Sequence, residues 1–225
     1  MRFLCASRTL FIVAALSLCS QGQDTPNREA PTNEVRGMPP RAAPGDYQAH
    51  AAAGAVTVAA EFLGHSIPRG DEVPLTTEDY VVIETAMFGS SGTRLKISSG
   101  DFSLRIYAKK TKPVPSQPFG MVFHSLKDPV WEDKVAVEEK EKSSGNGIST
   151  NGNAQTEKPA PPHMPLEMQR AMQQRVEKAA LPEGDRLLPQ AGLIFFPYHG
   201  KVEKIHSIEL IYAGPAGTAT MSLQP

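Results

Sequence analysis

Cysteine is nearly absent from this sequence. Both cysteines, Cys5 and Cys19, lie within the first 22 of the 225 residues. Removal of that segment during export would leave a chain without any thiol, which excludes a disulfide, a cysteine-ligated zinc site and a cysteine nucleophile. Exported proteins often use disulfides when their core is small, so this chain must be stabilised by hydrophobic burial instead.

An excess of charge of either sign is also lacking. The chain has 23 basic and 24 acidic residues, and loss of Arg2 and Arg8 with the first segment would leave 21 against 24, a formal charge of −3. Such a chain has no electrostatic attraction to nucleic-acid phosphates, and we expect no nucleic-acid partner. The composition further excludes a collagen, a coiled coil and a multi-span membrane protein.

The common catalytic and nucleotide-binding motifs are missing as well. The sequence contains no phosphate loop, no Gly-x-Gly-x-x-Gly after a strand, no Gly-x-Ser-x-Gly and no His-Glu-x-x-His. His199 and His206 are seven residues apart, and we expect a loop residue and a sheet-face residue rather than a metal site. These absences favour a protein that is not an enzyme and has no cofactor, with an enzyme of unfamiliar type as one alternative.

Residues 1–22 follow the three-part pattern of a secretory signal. Arg2 and Arg8 give the positive start, an apolar stretch reaches Leu18, and small residues follow at Ser20 and Gly22. The apolar stretch is shorter than the roughly 20 residues that span a bilayer. We therefore expect a secreted or periplasmic protein whose mature chain has no transmembrane span.

Cys19 leaves a lipid anchor as an alternative. The run from Leu16 to Cys19 is similar to a lipoprotein signal, in which the cysteine is acylated after cleavage. The residue before such a cysteine is normally small, and Leu18 is not. Acylation of Cys19 is therefore disfavoured but stays open.

Two later segments have the composition of linkers. Residues 23–53 contain five prolines and almost no large apolar side chain, so they cannot offset the entropy of ordering. Residues 143–162 are rich in Ser, Gly, Asn and Pro, and predict a disordered insertion in a loop. The chain is thus divided into a signal, a disordered Pro-rich linker and one domain over residues 54–225.

Period-two alternation of apolar residues dominates residues 54–225 and indicates β-strands. Residues 79–88 are apolar on both faces, and residues 193–196 form an uninterrupted apolar run. Both segments should therefore be buried on both sides. Residues 119–123 could form a short strand, and residues 130–141 favour neither strand nor helix. The other predicted strands cover 56–63, 94–97, 102–107, 205–212 and 218–223.

One helix is predicted over residues 165–180. Met164, Met168, Met172 and Val176 recur every four residues, and Pro165 suits the first turn. Short strands separated by Gly/Pro turns, together with this one inserted amphipathic helix, indicate a mainly β fold of the antiparallel β-sandwich type.

Three features of the predicted domain occur together in a known kind of module. They are an early strand pair (Val56–Leu63 and Tyr80–Phe88), the run from Leu187 to Pro197, and a final hairpin. This layout over residues 54–225 resembles the immunoglobulin-like sandwich domains of bacterial envelope proteins and lipoproteins. The predicted helix and the Ser/Gly/Asn insertion depart from the simple sandwich. The resemblance implies an adhesion, assembly or accessory module.

The methionine stripe is the sharpest candidate site. His163, Met164, Met168 and Met172 should align along one helix face. Thioethers are soft ligands that select Cu(I), so a periplasmic Cu(I)-binding protein is one alternative. Methionine also fills irregular gaps against a sheet and adapts to partner surfaces, so core packing and contact with a partner are the other interpretations.

These observations together predict an exported, non-catalytic module of the cell envelope with a binding or structural role and a possible protein partner. Binding would use loops at residues 68–77 and 109–117, or the methionine helix. Arg69-Gly70-Asp71 lies in the first of these loops. Some adhesion receptors recognise this tripeptide, but it also makes a good turn by itself.

Overall fold

The computed structural model describes residues 36–107, 111–144 and 163–225. The predicted signal 1–22 with Cys19, the first part of the predicted linker, and residues 145–162 of the predicted insertion lie outside the described residues. No helix within the described ranges is long and apolar enough to cross a membrane.

Thirteen antiparallel strands account for most of the regular structure in the described residues. They are β1 (Ala49–Ala53), β2 (Val56–Phe62), β3 (Ser66–Arg69), β4 (Glu72–Thr77), β5 (Tyr80–Phe88), β6 (Arg94–Ile97), β7 (Phe102–Ile106), β8 (Val114–Pro115), β9 (Leu126–Lys127), β10 (Gly184–Leu187), β11 (Gln190–Pro197), β12 (Ile208–Gly214) and β13 (Gly217–Leu223). Two four-stranded sheets have the orders β1-β2-β5-β11 and β13-β12-β7-β8, and smaller sheets have the orders β3-β4-β9 and β10-β6. The prediction of a mainly β, antiparallel fold is confirmed.

Both four-stranded sheets contribute side chains to one hydrophobic core. Ile83 of β5 and Phe196 of β11 meet Leu210 of β12 there, each at most 1% exposed. The opposite faces of β5 and β11 are covered too, because Val82 and Phe195 belong to a second cluster that includes side chains from the helical segments. The expected burial of both faces of β5 and β11 is therefore confirmed.

The helical segments are more numerous than the sequence predicts. Helix α2 (Leu166–Ala179) lies within the predicted range, but α1 (Pro129–Ser144) occupies a stretch that favours neither helix nor strand. Asp128 starts α1, because its Oδ1 accepts the N–H of Val130 at 3.0 Å and proline follows it at the first helical position. A third segment, Phe119–Ser125, is a 3₁₀ helix rather than the expected short strand.

The predicted linker is wrong for residues 38–53, which belong to the fold. Met38 pairs with Ala191 at the outer edge of β11, and β1 is paired with β2 along its whole length. Tyr47 is buried, with its ring edge-on to Phe88 at 6.1 Å. Small alanines and one aromatic residue are enough to order this segment, because neighbouring strands supply the backbone pairing. Its low content of large apolar residues therefore does not indicate disorder.

Arg41 fastens this N-terminal segment over two carboxylates. Glu61 and Glu84 face each other across β2 and β5, and Glu84 is only 5% exposed. The Arg41 guanidinium bonds Glu84 at 2.9 Å, contacts Glu61, and lies over the Tyr47 ring with its carbon 4.5 Å from the centroid. Like charges directly opposite each other destabilise a strand pair, so the pairing of Glu61 with Glu84 depends on the positive charge of Arg41.

Replacing Arg41 should therefore destabilise the protein far more than replacing an ordinary surface arginine. We expect Arg41→Met to lower the free energy of unfolding by about 2 kcal/mol, because it leaves Glu84 buried beside another carboxylate. Arg94→Met is the matched control, since both partners in the Arg94–Asp185 pair are more than half exposed, and it should cost less than about 1 kcal/mol. Urea unfolding measures both values, and equal losses would contradict the assigned role of Arg41.

Candidate functional site

An open groove lies among α2, the 3₁₀ helix Phe119–Ser125, β9 and the start of α1. Its two halves share Leu126 and Met164 and enclose about 480 and 320 Å³. We name it the methionine groove. Its first half is lined by Phe123, His124, Leu126, Met164, Gln169, Met172 and Gln173, and its second half by Leu126, Lys127, Trp131, Glu132, Val135, Ala136 and Met164.

The structure divides the predicted methionine stripe. Met164 lines both halves of the groove, and Met172 lines the first half while packing into the second hydrophobic cluster at 5% exposure. Met168 is half-buried and His163 is exposed, and neither lines the groove. His124, which the sequence analysis did not single out, lies beside Met164 and Met172 instead.

A buried pair of hydroxyl groups holds one wall of the groove. Ser125, at the end of the 3₁₀ helix, donates its hydroxyl hydrogen to the Val122 carbonyl at 3.1 Å. Its oxygen is therefore free to accept the hydroxyl of Thr77, 2.7 Å away on β4. Thr77 and Val122 are both at most 1% exposed, so the wall that carries Phe123 and His124 is fixed to β4 from inside.

A chain of ion pairs fixes the two α-helices to the same β-hairpin. Arg175 of α2 bonds Glu72 of β4 at 2.8 Å, and Glu72 lies 3.3 Å from Nε of Arg69 on β3. Arg69 in turn bonds Asp128 at the start of α1 at 2.9 Å, with both side chains about nine-tenths buried. The hairpin therefore contacts both α-helices that contribute to the groove.

This arrangement also bears on the Arg69-Gly70-Asp71 tripeptide. Gly70 adopts a left-handed φ of +64°, as the tight turn between β3 and β4 requires. The Arg69 side chain is directed inward to Asp128 rather than presented to a receptor. Display of the tripeptide would require breaking a buried ion pair, so the turn-forming interpretation is favoured. Residues 72–77, expected as a binding loop, form β4 instead.

Both polar and apolar side chains line the groove. Lys127 contacts the carboxylates of Glu78 and Glu132, and its hydrogen bond to Glu78 is the main cause that raises the pKa of Lys127. Lys127 therefore stays charged in the second half of the groove, while the side-chain amides of Gln169 and Gln173 line the first half. Aromatic, aliphatic and thioether side chains also line the groove.

Exposed apolar side chains are concentrated on the elements that form the groove. Seven large hydrophobic residues are exposed within the described ranges, and four of them lie on these elements. Several exposed apolar side chains on neighbouring elements are typical of a surface that binds another molecule. The four are Met121, Val130, Val137 and Leu166, which are 38–58% exposed.

His199 and His206 lie outside the methionine groove. His199 follows β11 and bonds Asp79 at 2.9 Å, while His206 lies in the loop before β12 rather than on a sheet face. His199 lines a separate depression of about 710 Å³ that also includes His65. No group of three or more His, Cys, Asp or Glu residues with the geometry for a metal ion occurs among the residues that the structure describes.

Comparison with known proteins yields no relative. No protein-family model, curated protein or solved structure matches this chain. The function is therefore inferred from the chemistry of the surfaces described above.

The divided stripe predicts unequal costs for shortening its methionines. We expect Met172→Ala to lower the free energy of unfolding by about 3 kcal/mol, because it opens a cavity between α2 and the sheet. Met168→Ala makes the same chemical change in the same helix, but at a half-buried position. It should lower the free energy of unfolding by less than about 1 kcal/mol. Chemical denaturation of both variants provides the comparison. Similar costs would mean that both thioethers are packed equally.

Proposed function

We propose that this chain is an exported, non-catalytic module of the cell envelope, built on an immunoglobulin-like sandwich, that binds an apolar segment of a protein partner. The observation that supports this proposal best is the methionine groove, which thioether, aromatic and aliphatic side chains line, together with the exposed apolar side chains on the elements that form it. The signal-like pattern of residues 1–22 supports export.

The lining of the groove suits an apolar peptide better than a small polar ligand. Met164 and Met172 have flexible, polarizable side chains that adapt to different apolar shapes, a property of surfaces that bind peptides. Trp131 supplies a large aromatic contact of the kind that dominates binding energy at interfaces. An amphipathic helix, with apolar residues at spacings of three and four, would place its apolar face against these side chains.

Trp131 makes the proposal directly testable, because it is the only tryptophan in the chain and lies in the groove. The full chain is titrated with a tryptophan-free amphipathic helical peptide that carries Leu and Phe on one face. We expect a saturable blue shift of the Trp131 emission. A peptide of the same composition with its apolar residues scrambled should give a much weaker response.

Two matched variants locate the binding. Met164→Glu places a carboxylate in the middle of the groove and should weaken peptide binding about tenfold or more, since a charge must then be desolvated. Leu187→Glu makes a similar change at an exposed leucine of β10, outside the groove, and should bind as the wild type does. An unsaturable response, or an equal response of the Met164→Glu variant, would contradict the proposal.

Cu(I) binding is a second candidate function, favoured by one observation. Met164, Met172 and His124 line the same half of the groove, so two thioethers and one imidazole lie around a single space. This is a donor set suited to Cu(I). It differs from the set that the sequence predicts, because His124 replaces Met168 and His163.

Anaerobic titration with Cu(I) against a chromogenic chelator tests this second candidate. We expect one ion to bind per chain, and we expect the Met164→Leu/Met172→Leu variant, which keeps the apolar volume nearly constant, to lose the site. Met168→Leu is the control and should bind as the wild type does. Absence of uptake, or uptake that the double variant retains, would exclude a copper site in the groove.

A further inference from the structure

The imidazole of His65 lies between two backbone carbonyl groups. Its Nδ1 is 2.6 Å from the oxygen of Tyr80, and its Nε2 is 3.0 Å from the oxygen of Gly200. A carbonyl oxygen can only accept a hydrogen bond, and a neutral imidazole carries a hydrogen on only one of its two nitrogens. The neutral ring must therefore direct a lone pair at one of the two oxygens, whereas the protonated ring donates to both.

We propose that His65 is a proton-operated clip that joins the start of β5 to the loop after β11. In the protonated state the ring holds both Tyr80 and Gly200. In the neutral state the hydrogen stays on Nδ1, which makes the shorter bond, and the Gly200 end is released. The clip does not depend on the proposed function, because His65 does not line the methionine groove.

The loop that the clip holds connects the two large sheets. Residues 198–207 lead from β11 in one four-stranded sheet to β12 in the other. Tyr198 begins this loop, and its ring stacks on His65 with centroids 6.2 Å apart and planes 21° apart.

Tyr198 extends the network to a strained residue. Its hydroxyl bonds that of Tyr107 at 2.8 Å, and burial is the main cause that raises the pKa of Tyr198 to about 12, so Tyr198 stays neutral at ordinary pH. Tyr107 has a φ of +68°, and it is the only residue other than glycine with a positive φ among those described. A left-handed tyrosine is held only where its surroundings impose it, and the Tyr198 hydroxyl is part of those surroundings.

The charged groups around His65 act in both directions. Carboxylates on the segment before β5 and on the loop after β11 favour the imidazolium. One lysine and a second histidine on the same loop oppose it, and that histidine is paired with Asp79. These groups, which line the depression together with His65, are Glu78, Asp79, His199, Lys201 and Glu203.

The dependence of stability on pH tests the clip. The proposal requires that the folded state holds the His65 proton more tightly than the unfolded state does. The stability that this proton contributes is then present at low pH and lost as the pH rises. We compare urea unfolding of the full chain with that of His65→Gln at pH values of about 5.5 and 8, on either side of the ordinary histidine range. The advantage of the wild type should fall about tenfold in the unfolding equilibrium constant, the scale of one charge-assisted bond.

His206→Gln is the matched control, because His206 is an exposed histidine at the end of the same loop. This variant should follow the wild type at both pH values. A constant difference between wild type and His65→Gln would overturn the proposal. If His65→Gln does not fold, nitrogen NMR of the wild-type ring decides: near pH 6.5 we expect hydrogens on both nitrogens of His65, and a ring no more protonated than that of His206 would equally overturn it.

Discussion

Strands β5 and β11 are apolar on both faces, so each face of their sheet has to be covered. The second four-stranded sheet covers one face continuously, and Ile83, Phe196 and Leu210 form part of that core. The other face has no such partner. It is covered by separate pieces, namely α2, the 3₁₀ helix and the β3–β4 hairpin, whose side chains meet around Val82 and Phe195. Separate pieces leave gaps between them, and the methionine groove is one of these gaps.

Polar residues on this covered sheet explain why the N-terminal segment is part of the fold. Glu61 and Glu84 face the same side of the sheet as Val82, yet neither can pack against an apolar helix. Arg41 satisfies them and brings with it Tyr47, which packs on the small side chains of Ala59, Ala86 and Ala191. The charged end of the sheet is thus covered by the segment that the sequence presents as a linker.

The strands with clear alternation could be predicted from the sequence, because a half-buried strand repeats every two residues whatever its partners are. Short strands such as β1, β3 and β4 could not, since Ala49–Ala53 and the segments around Pro68 and Pro74 gain their order from neighbouring backbone. Helix α1 was missed because its apolar residues do not gather on one face, although Asp128-Pro129 is a helix-start signal.

The candidate site was predicted only in part, for a geometric reason. Helix α2 begins at Leu166, so Met164 precedes it and reaches the groove from extended backbone rather than from a helical face. Within the helix, residues four apart differ in direction by about 40°, and Met168 is therefore half-buried while Met172 is buried. His124 lies 40 residues earlier in the chain, and no local pattern could have placed it beside these methionines.

Thr77 connects the groove wall to the His65 segment, but the groove and the histidine clip are held in different ways. The backbone N–H of Thr77 bonds the His65 carbonyl at 3.0 Å, and its hydroxyl bonds Ser125 in the groove wall. Neither bond uses the His65 ring, and β4 is also anchored at Glu72 by two arginines. Loss of a proton from the ring releases Gly200, not Thr77. Its effect is therefore directed to the loop between the large sheets, while the walls of the groove keep their positions.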